Sequence, residues 1–240
     1  MSRVALQRAY VLHRRAYRET SFLVDILTPE YGRLTLVARG VRKSRSAAQG
    51  LLQSFVPLQV SWSGQGELMT LTSVEADGEA LRLKGDCLFA GLYLNELMTY
   101  LLQKWDAQPE LFRAYEQAIT ALQSDVLEEK TLRIFEKYLL EQLGYGVLSN
   151  MDIQLLSSLV PEQYYSFVPD QGFVLSEHGN LLQANVSLFL GKSLLAIARE
   201  DWDADDALHN AKRLHRMMLM PLLGSRPIFS RLLFTQPLGE

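Results

Sequence analysis

Cysteine is almost absent from this 240-residue chain, and acid is scarce in its first fifty residues. The lone cysteine, Cys87, excludes an internal disulfide and every multi-cysteine zinc site. It fits a protein of the reducing cytoplasm, which is the expected location. Long apolar runs are missing too. The opening stretch MSRVALQRAYVLHRRAYRET lacks the uninterrupted apolar core of a signal peptide. The most hydrophobic run, Cys87 to Leu102, is short for a membrane span and contains Asn95 and Glu96. It predicts a helix buried on nearly every side, and no membrane partner.

Residues 1–50 hold ten Arg or Lys against three Asp or Glu, a balance of +7, so the remainder carries −10 to reach the net −3. The densest part is Arg33, Arg39, Arg42, Lys43 and Arg45, with no acid between them. A basic segment in an acidic protein points to a polyanionic partner met by one region, nucleic acid first. Arginine neutralises phosphate, grips it with two hydrogen bonds and releases counterions. No side chain here is a convincing base reader, so weak sequence preference is expected. Trp62, Phe55, Tyr31 and Tyr17 are available as stacking platforms, some of them at the expense of the core.

The first 80 residues read as strands between turns. Residues 5–13, 21–27, 33–39, 55–62 and 67–75 are five candidates, several with alternating apolar positions. Thr28-Pro29-Glu30-Tyr31-Gly32 and Ser63-Gly64-Gln65-Gly66 are turns. Five short strands in this length suit a small closed barrel, of which the five-stranded OB-fold is the obvious member. Residues 40–50, GVRKSRSAAQG, predict an exposed basic loop. From residue 81 the period becomes helical, at 87–105, 111–123, 128–143, 186–199 and 204–220. Leu132, Phe135, Leu139 and Leu143 form one stripe, which Gly144 and Gly146 stop. Residues 150–185 are less regular, with short strands around YYSFV and GFVL. The predicted division is a barrel domain over 1–80 and a mainly α-helical domain over 81–240.

Catalytic signatures are weak. Gly191-Lys192-Ser193 resembles the end of a phosphate-binding loop, but the glycine required five residues earlier is Val186 and no clear strand leads in. Asp201, Asp203, Asp205 and Asp206 with His209 suggest a metal-dependent nuclease, yet acidic residues before a helix more often cap it. The histidines show no ligand spacing, and Cys87 has no histidine partner in view. No enzyme, cofactor, metal or small-molecule substrate is expected.

Two features suit partners. Lys130, Arg133 and Lys137 share a helix face beside the apolar stripe, a surface for an acidic peptide ending in hydrophobic residues. Glu128, Glu129, Glu136 and Glu141 offer the plainer reading of pairing along the helix. Residues 207–240 carry five cations to one acid. There Lys212, Arg213 and Arg216, with Arg14 and Arg15 near the start, are additional candidates for nucleic-acid contact.

Three stretches carry a family resemblance: RAYVLHRRAYRETSFLVDILTPEYGRLTLVARGVRKSRS, GLYLNELMTYLL and LRIFEKYLLEQLGYG, with a looser match in AKRLHRMMLMPLLGSRPIFSRLLF. Together they resemble the bacterial RecO family along essentially the whole chain. The resemblance implies an N-terminal OB-fold, a helical C-terminal domain, binding of single- and double-stranded DNA and strand annealing. It further implies that RecR, RecA and the acidic tail of single-stranded DNA-binding protein (SSB) are partners in recombinational repair. By position, Arg33, Arg39, Arg42, Lys43 and Arg45 become the DNA contacts, and Arg133, with Lys130 and Lys137, the SSB-tail candidates. Many relatives carry a four-cysteine zinc site in the C-terminal half. This chain has no cysteine after Cys87 and resembles the zinc-less members. The alternatives are an OB-fold RNA-binding or ribosome-associated protein and, less favoured, the nuclease.

Overall fold

The computed structural model describes residues 2–42, 47–66, 68–146, 148, 158–169, 171–176 and 187–234. Alternating apolar residues build the first half. Val24 and Ile26 on β2 (Ser21–Thr28), Leu34 and Leu36 on β3 (Gly32–Ala38), and Leu58, Val60 and Trp62 on β4 (Leu58–Gly64) point to one interior and are essentially inaccessible. Each such side chain contributes roughly 1.5–3 kcal/mol by leaving water.

Strand β1 (Ser2–Tyr17) is long enough to serve two neighbours. Its first half pairs with β4 and its second with β2. A bulge between Val4 and Gln7, where Leu6 takes φ 53°, bends it around the barrel. Strand β5 (Leu68–Ala76) pairs antiparallel with β4 and parallel with β3. The order β1-β2-β3-β5-β4 closes, which is the OB topology.

The basic loop expected over 40–50 is in part a helix. Residues Gly40 to Arg42 turn, and α1 (Ala47–Leu51) follows, with Ala48, Leu51 and Leu52 packed on the barrel core. Three apolar residues on and just after so short a helix suffice to cover one end of the barrel, a pattern too short to register as a helical period. Lys43 and Arg45 lie outside the described residues.

Two helices cover an outer face of the same barrel. These are α2 (Gly85–Leu101) and α3 (Pro109–Ala121), and α3 meets the Tyr10 ring, which lies 5.6 Å from Phe112 and 5.4 Å from Tyr115. Tyr115 in turn donates its hydroxyl to Asn95 Oδ1 at 2.6 Å. The compact units divide at Leu127, with the segment from Arg226 returning to the first unit.

The second unit spans Glu128–Ser225. Helix α4 (Glu129–Gln142) buries Leu132, Phe135 and Leu139, the predicted stripe. It ends where expected, with Gly144 at φ 83°, its N–H bonded to the Glu141 carbonyl and that of Tyr145 to Leu140. The strands around YYSFV and GFVL are β6 (Tyr164–Val168) and β7 (Gly172–Leu175). A third, β8 (Leu188–Leu190), occupies the start of the helix expected at 186, in the order β7-β6-β8. Helix α5 (Gly191–Arg199) begins only after it, and α6 (Ala207–Leu223) runs through Pro221, past the expected end at 220. The chain then rejoins the first unit through α7 (Ser230–Leu233), whose first amides bond to the Glu96 carboxylate. No helix among the described residues is long and apolar enough to cross a membrane.

Candidate nucleic-acid interface

The β1–β2 hairpin decides where the basic residues meet. Tyr17 pairs with Ser21, and Phe22 pairs with Ala38, so the end of β1, the start of β2 and the end of β3 share one end of the barrel. Residues 14–22 and 38–42 place there five arginines (Arg14, Arg15, Arg18, Arg39 and Arg42) and one acid, Glu19. The backbone of Arg42 donates to the Thr20 carbonyl at 2.9 Å, which ties the turn after β3 to the hairpin.

Two of these arginines share a ring. The Arg14 guanidinium carbon stands 4.6 Å from the Phe22 centroid and that of Arg42 5.8 Å from it. Each also spends one nitrogen on a carbonyl: Arg14 Nη1 on Gln49 at 3.1 Å and Arg42 Nη1 on Arg18 at 2.9 Å. Arg18, at φ 52° in the tight turn, lies 5.1 Å over Tyr17. Arg15 and Arg39 are exposed. Arg14, Arg18 and Arg42 are thus oriented by rings or carbonyls, and all of the group but the half-buried Arg14 are exposed. Arg18 was not picked out by sequence reasoning; the hairpin register is the signal that identifies it.

Arg33 does not belong to this group. It sits at the other end of β3, roughly 20 Å away at 3.3 Å per residue. Its side chain is only 14% exposed, with Nε donating to the Leu102 carbonyl at 3.0 Å and Nη1 at 3.9 Å from Asp25. Burial pulls its guanidinium below the ordinary arginine value, and Asp25 counters that. Arg33, expected among the DNA contacts, is thus set apart from the other cations of the basic run, because the segment after α2 packs against it. Three of the expected stacking platforms are also spent. Trp62 and Phe55 are buried, and Tyr31 meets Trp62 edge-on at 5.2 Å.

In the second unit the basic row of α4 is split. Lys130 is exposed and pairs with Glu128 at 2.9 Å. Arg133 is 5% exposed, with Nη2 3.1 Å from Glu136, whose other oxygen lies 3.1 Å from His215 Nδ1. Lys137, 7% exposed, donates to the Ala198 carbonyl at 3.1 Å and to Glu200 at 2.9 Å. A shared, solvent-facing cationic surface is not what this helix presents, because the buried Glu136 claims Arg133, and the Ala198 carbonyl with the exposed Glu200 claims Lys137. A cavity of about 10 Å³ borders Lys137, Leu140, His215 and Met218. On α6, Lys212 pairs with Glu129, and Arg213 bonds to Asn210 over the Phe189 ring. Arg216 is exposed.

The remaining motifs are structural. A strand does lead into Gly191-Lys192-Ser193, contrary to expectation. The amides of Gly191 and Lys192, however, donate to the Gln163 and Pro161 carbonyls and are not open to phosphate. Asp206 precedes α6 in a left-handed backbone without a side-chain cap, so the expected capping hydrogen bond is not made there. Among the described residues no three His, Cys, Asp or Glu side chains gather as metal ligands would. Cys87 is buried with its thiol 3.3 Å from the Ser124 carbonyl, and burial, with Asp86 and Asp125, pushes its pKa up.

The class is therefore an OB-fold barrel with an arginine-rich rim, followed in the chain by a helical unit. The profile of the recombination protein O N-terminal domain matches residues 1–77, and that of its C-terminal domain matches residues 82–228. The DNA repair protein RecO of Coxiella burnetii (strain RSA 331 / Henzerling II) is 42% identical over 229 residues, covering 95% of this chain and 97% of that protein. That of Actinobacillus pleuropneumoniae serotype 7 (strain AP76) is 43% identical over 228 residues, 95% of this chain and 93% of that protein. That of Dechloromonas aromatica (strain RCB) is 39% identical over 238 residues, 98% of this chain and 97% of that protein. The chain belongs to the RecO family, and its role lies in DNA repair.

Proposed function

We propose that the protein is a non-catalytic, cytoplasmic DNA-binding mediator of recombinational repair. It holds single- and double-stranded DNA at the arginine end of its barrel and brings complementary strands together. With RecR it assists loading of RecA on strands coated by SSB. The observation that carries this reading is the gathering of Arg14, Arg15, Arg18, Arg39 and Arg42 at one barrel end with a single acid between them. Annealing needs two phosphate chains brought close, and a cationic surface lowers their repulsion without bond chemistry. Lys43 and Arg45 extend the basic segment in sequence and belong to the proposed contact set. Arg216, and more weakly Lys212 and Arg213, are proposed as secondary contacts.

For the acidic SSB tail the proposed seat is the α4 surface at the exposed Lys130, with the nearly sealed Lys137 supporting it from beneath. Arg133 would act indirectly, by holding Glu136. The test of the main reading is a salt titration of DNA binding by the full chain and by a variant with Arg39, Arg42, Lys43 and Arg45 changed to alanine. The variant is expected to bind weakly, with a salt slope shallower by roughly 0.7 per lost contact to a single strand. Unchanged affinity would place the DNA surface elsewhere. A stronger hold on RNA than on DNA of equal length would favour the RNA-binding alternative.

A further inference from the structure

The barrel region, residues 1–80, has six aromatic residues: Tyr10, Tyr17, Phe22, Tyr31, Phe55 and Trp62. Four are committed elsewhere. Tyr10, Phe55 and Trp62 are buried, and Tyr31 is held against Trp62 at the opposite end. The two at the arginine end, Tyr17 and Phe22, are taken by the protein's own guanidinium groups, one over Tyr17 and two over Phe22. A base seeking a ring there competes with an arginine already held against it. The guanidinium groups, in contrast, keep most of their five N–H donors for a ligand, since Arg14 and Arg42 each give one nitrogen to a carbonyl.

Resting on the proposed DNA-binding function, we infer that this end of the barrel grips the sugar–phosphate backbone alone, leaving the bases unstacked and free to pair. Phe22 is the positioning residue that sets the two arginines for that grip. A guanidinium held against a ring has fewer orientations to lose on binding, and its fork of N–H donors matches the oxygens of a phosphate. A strand held this way exposes its Watson–Crick edges to a complementary strand, which annealing requires. A strand held by stacking must give up that hold first.

The test measures binding of the full chain to a labelled single strand, to an oligomer of equal length lacking all bases, and to a duplex. Stacked bases contribute about five- to a hundredfold each, so a stacking site loses the abasic oligomer by far more than tenfold. A backbone site keeps it within about threefold, with the same salt slope. Loss beyond tenfold on the abasic oligomer, while the ordinary strand still binds through Arg39 and Arg42, overturns the inference and leaves the DNA-binding reading intact. Failure of the ordinary strand to bind, or indifference to those arginines, removes both. Phe22→Leu keeps the apolar packing and removes the ring. It is expected to weaken strand and abasic oligomer equally, about three- to fivefold for a surface cation–π contact, and Phe22→Tyr should restore both. A loss confined to the base-bearing strand would mean that Phe22 stacks a base, and the inference would fall.

Discussion

Arg133 and Glu136 face each other across one turn of α4, Nη2 to Oε1 at 3.1 Å, both almost sealed from solvent, with His215 on the far side of the carboxylate. A buried pair contributes little beyond an apolar substitute, but removing one partner strands the other charge. Arg133→Ala is therefore expected to destabilise the protein by about 3 kcal/mol or more, read by urea denaturation. Arg133→Met combined with Glu136→Gln should recover much of that loss, since the carboxylate charge is gone while His215 keeps an acceptor. Loss of SSB-tail binding in Arg133→Ala counts toward a binding role only if the double variant, folded and stable, also fails to bind.

Gly32 and Gly40 both take left-handed backbones, at φ 62° and 73°, but their surroundings differ. A Cβ on Gly32 would lie 1.7 Å from the Asp106 carbonyl oxygen, whereas one on Gly40 would meet nothing within 4 Å. Gly40→Ala is expected to cost about 1 kcal/mol, the backbone penalty alone. Gly32→Ala adds displacement of a backbone segment and should cost about 3 kcal/mol or more. Thermal melts of the two variants test the difference, and equal melting temperatures would contradict the close approach at Gly32.

The barrel was legible because period-two alternation and hairpin turns are local signals: Val24, Ile26, Leu34 and Leu36 announce their own inward face. The stripe of α4 and its stop at Gly144 were legible for the same reason. What resisted reading depends on distant residues. Arg33 and Arg39 belong to one basic run in the sequence, and it is the packing of residues 102–106 against the first that makes it an internal arginine and leaves the second exposed. Arg133 and Lys137 have the expected helical spacing, but the groups that bury them come from Ala198, Glu200 and His215, some sixty to eighty residues on. Helix α1 escaped notice because its apolar face means nothing until there is a barrel end to plug.

Glu141 gives a pH signature. Burial raises its carboxyl above the ordinary glutamate value and Glu200 adds to the rise, while Lys137 opposes it. A carboxyl with a raised folded-state pKa binds its proton more tightly in the folded chain. Its favourable contribution is present below the unfolded pKa and lost as pH climbs through the folded one. Glu141→Gln mimics the protonated form, so it should stabilise the protein at pH 7 and lose that advantage toward pH 4. Denaturation curves at the two pH values provide the check, and a variant less stable than the parent at pH 7 would show that the Lys137 attraction prevails.

Arg33 near the start of β3 and Arg39 just past its end are expected to fail in opposite ways. Arg33→Ala removes a charged hydrogen bond to the Leu102 carbonyl and leaves Asp25 without its guanidinium neighbour, at a cost of roughly 1.5–3 kcal/mol. DNA affinity of the folded variant should not move, because the side chain stands at the far end of the barrel and is turned inward. Arg39→Ala removes an exposed side chain, so stability should hold within about 0.5 kcal/mol. DNA affinity should fall and the salt slope should shrink by roughly 0.7, the release accompanying one contact to a single strand. Measuring both properties on both variants separates a cation that holds the barrel from one that holds the ligand. If Arg33→Ala lowers DNA affinity as much as Arg39→Ala without loss of stability, the division of the basic segment into an internal and an external part is wrong, and the DNA surface runs the length of β3.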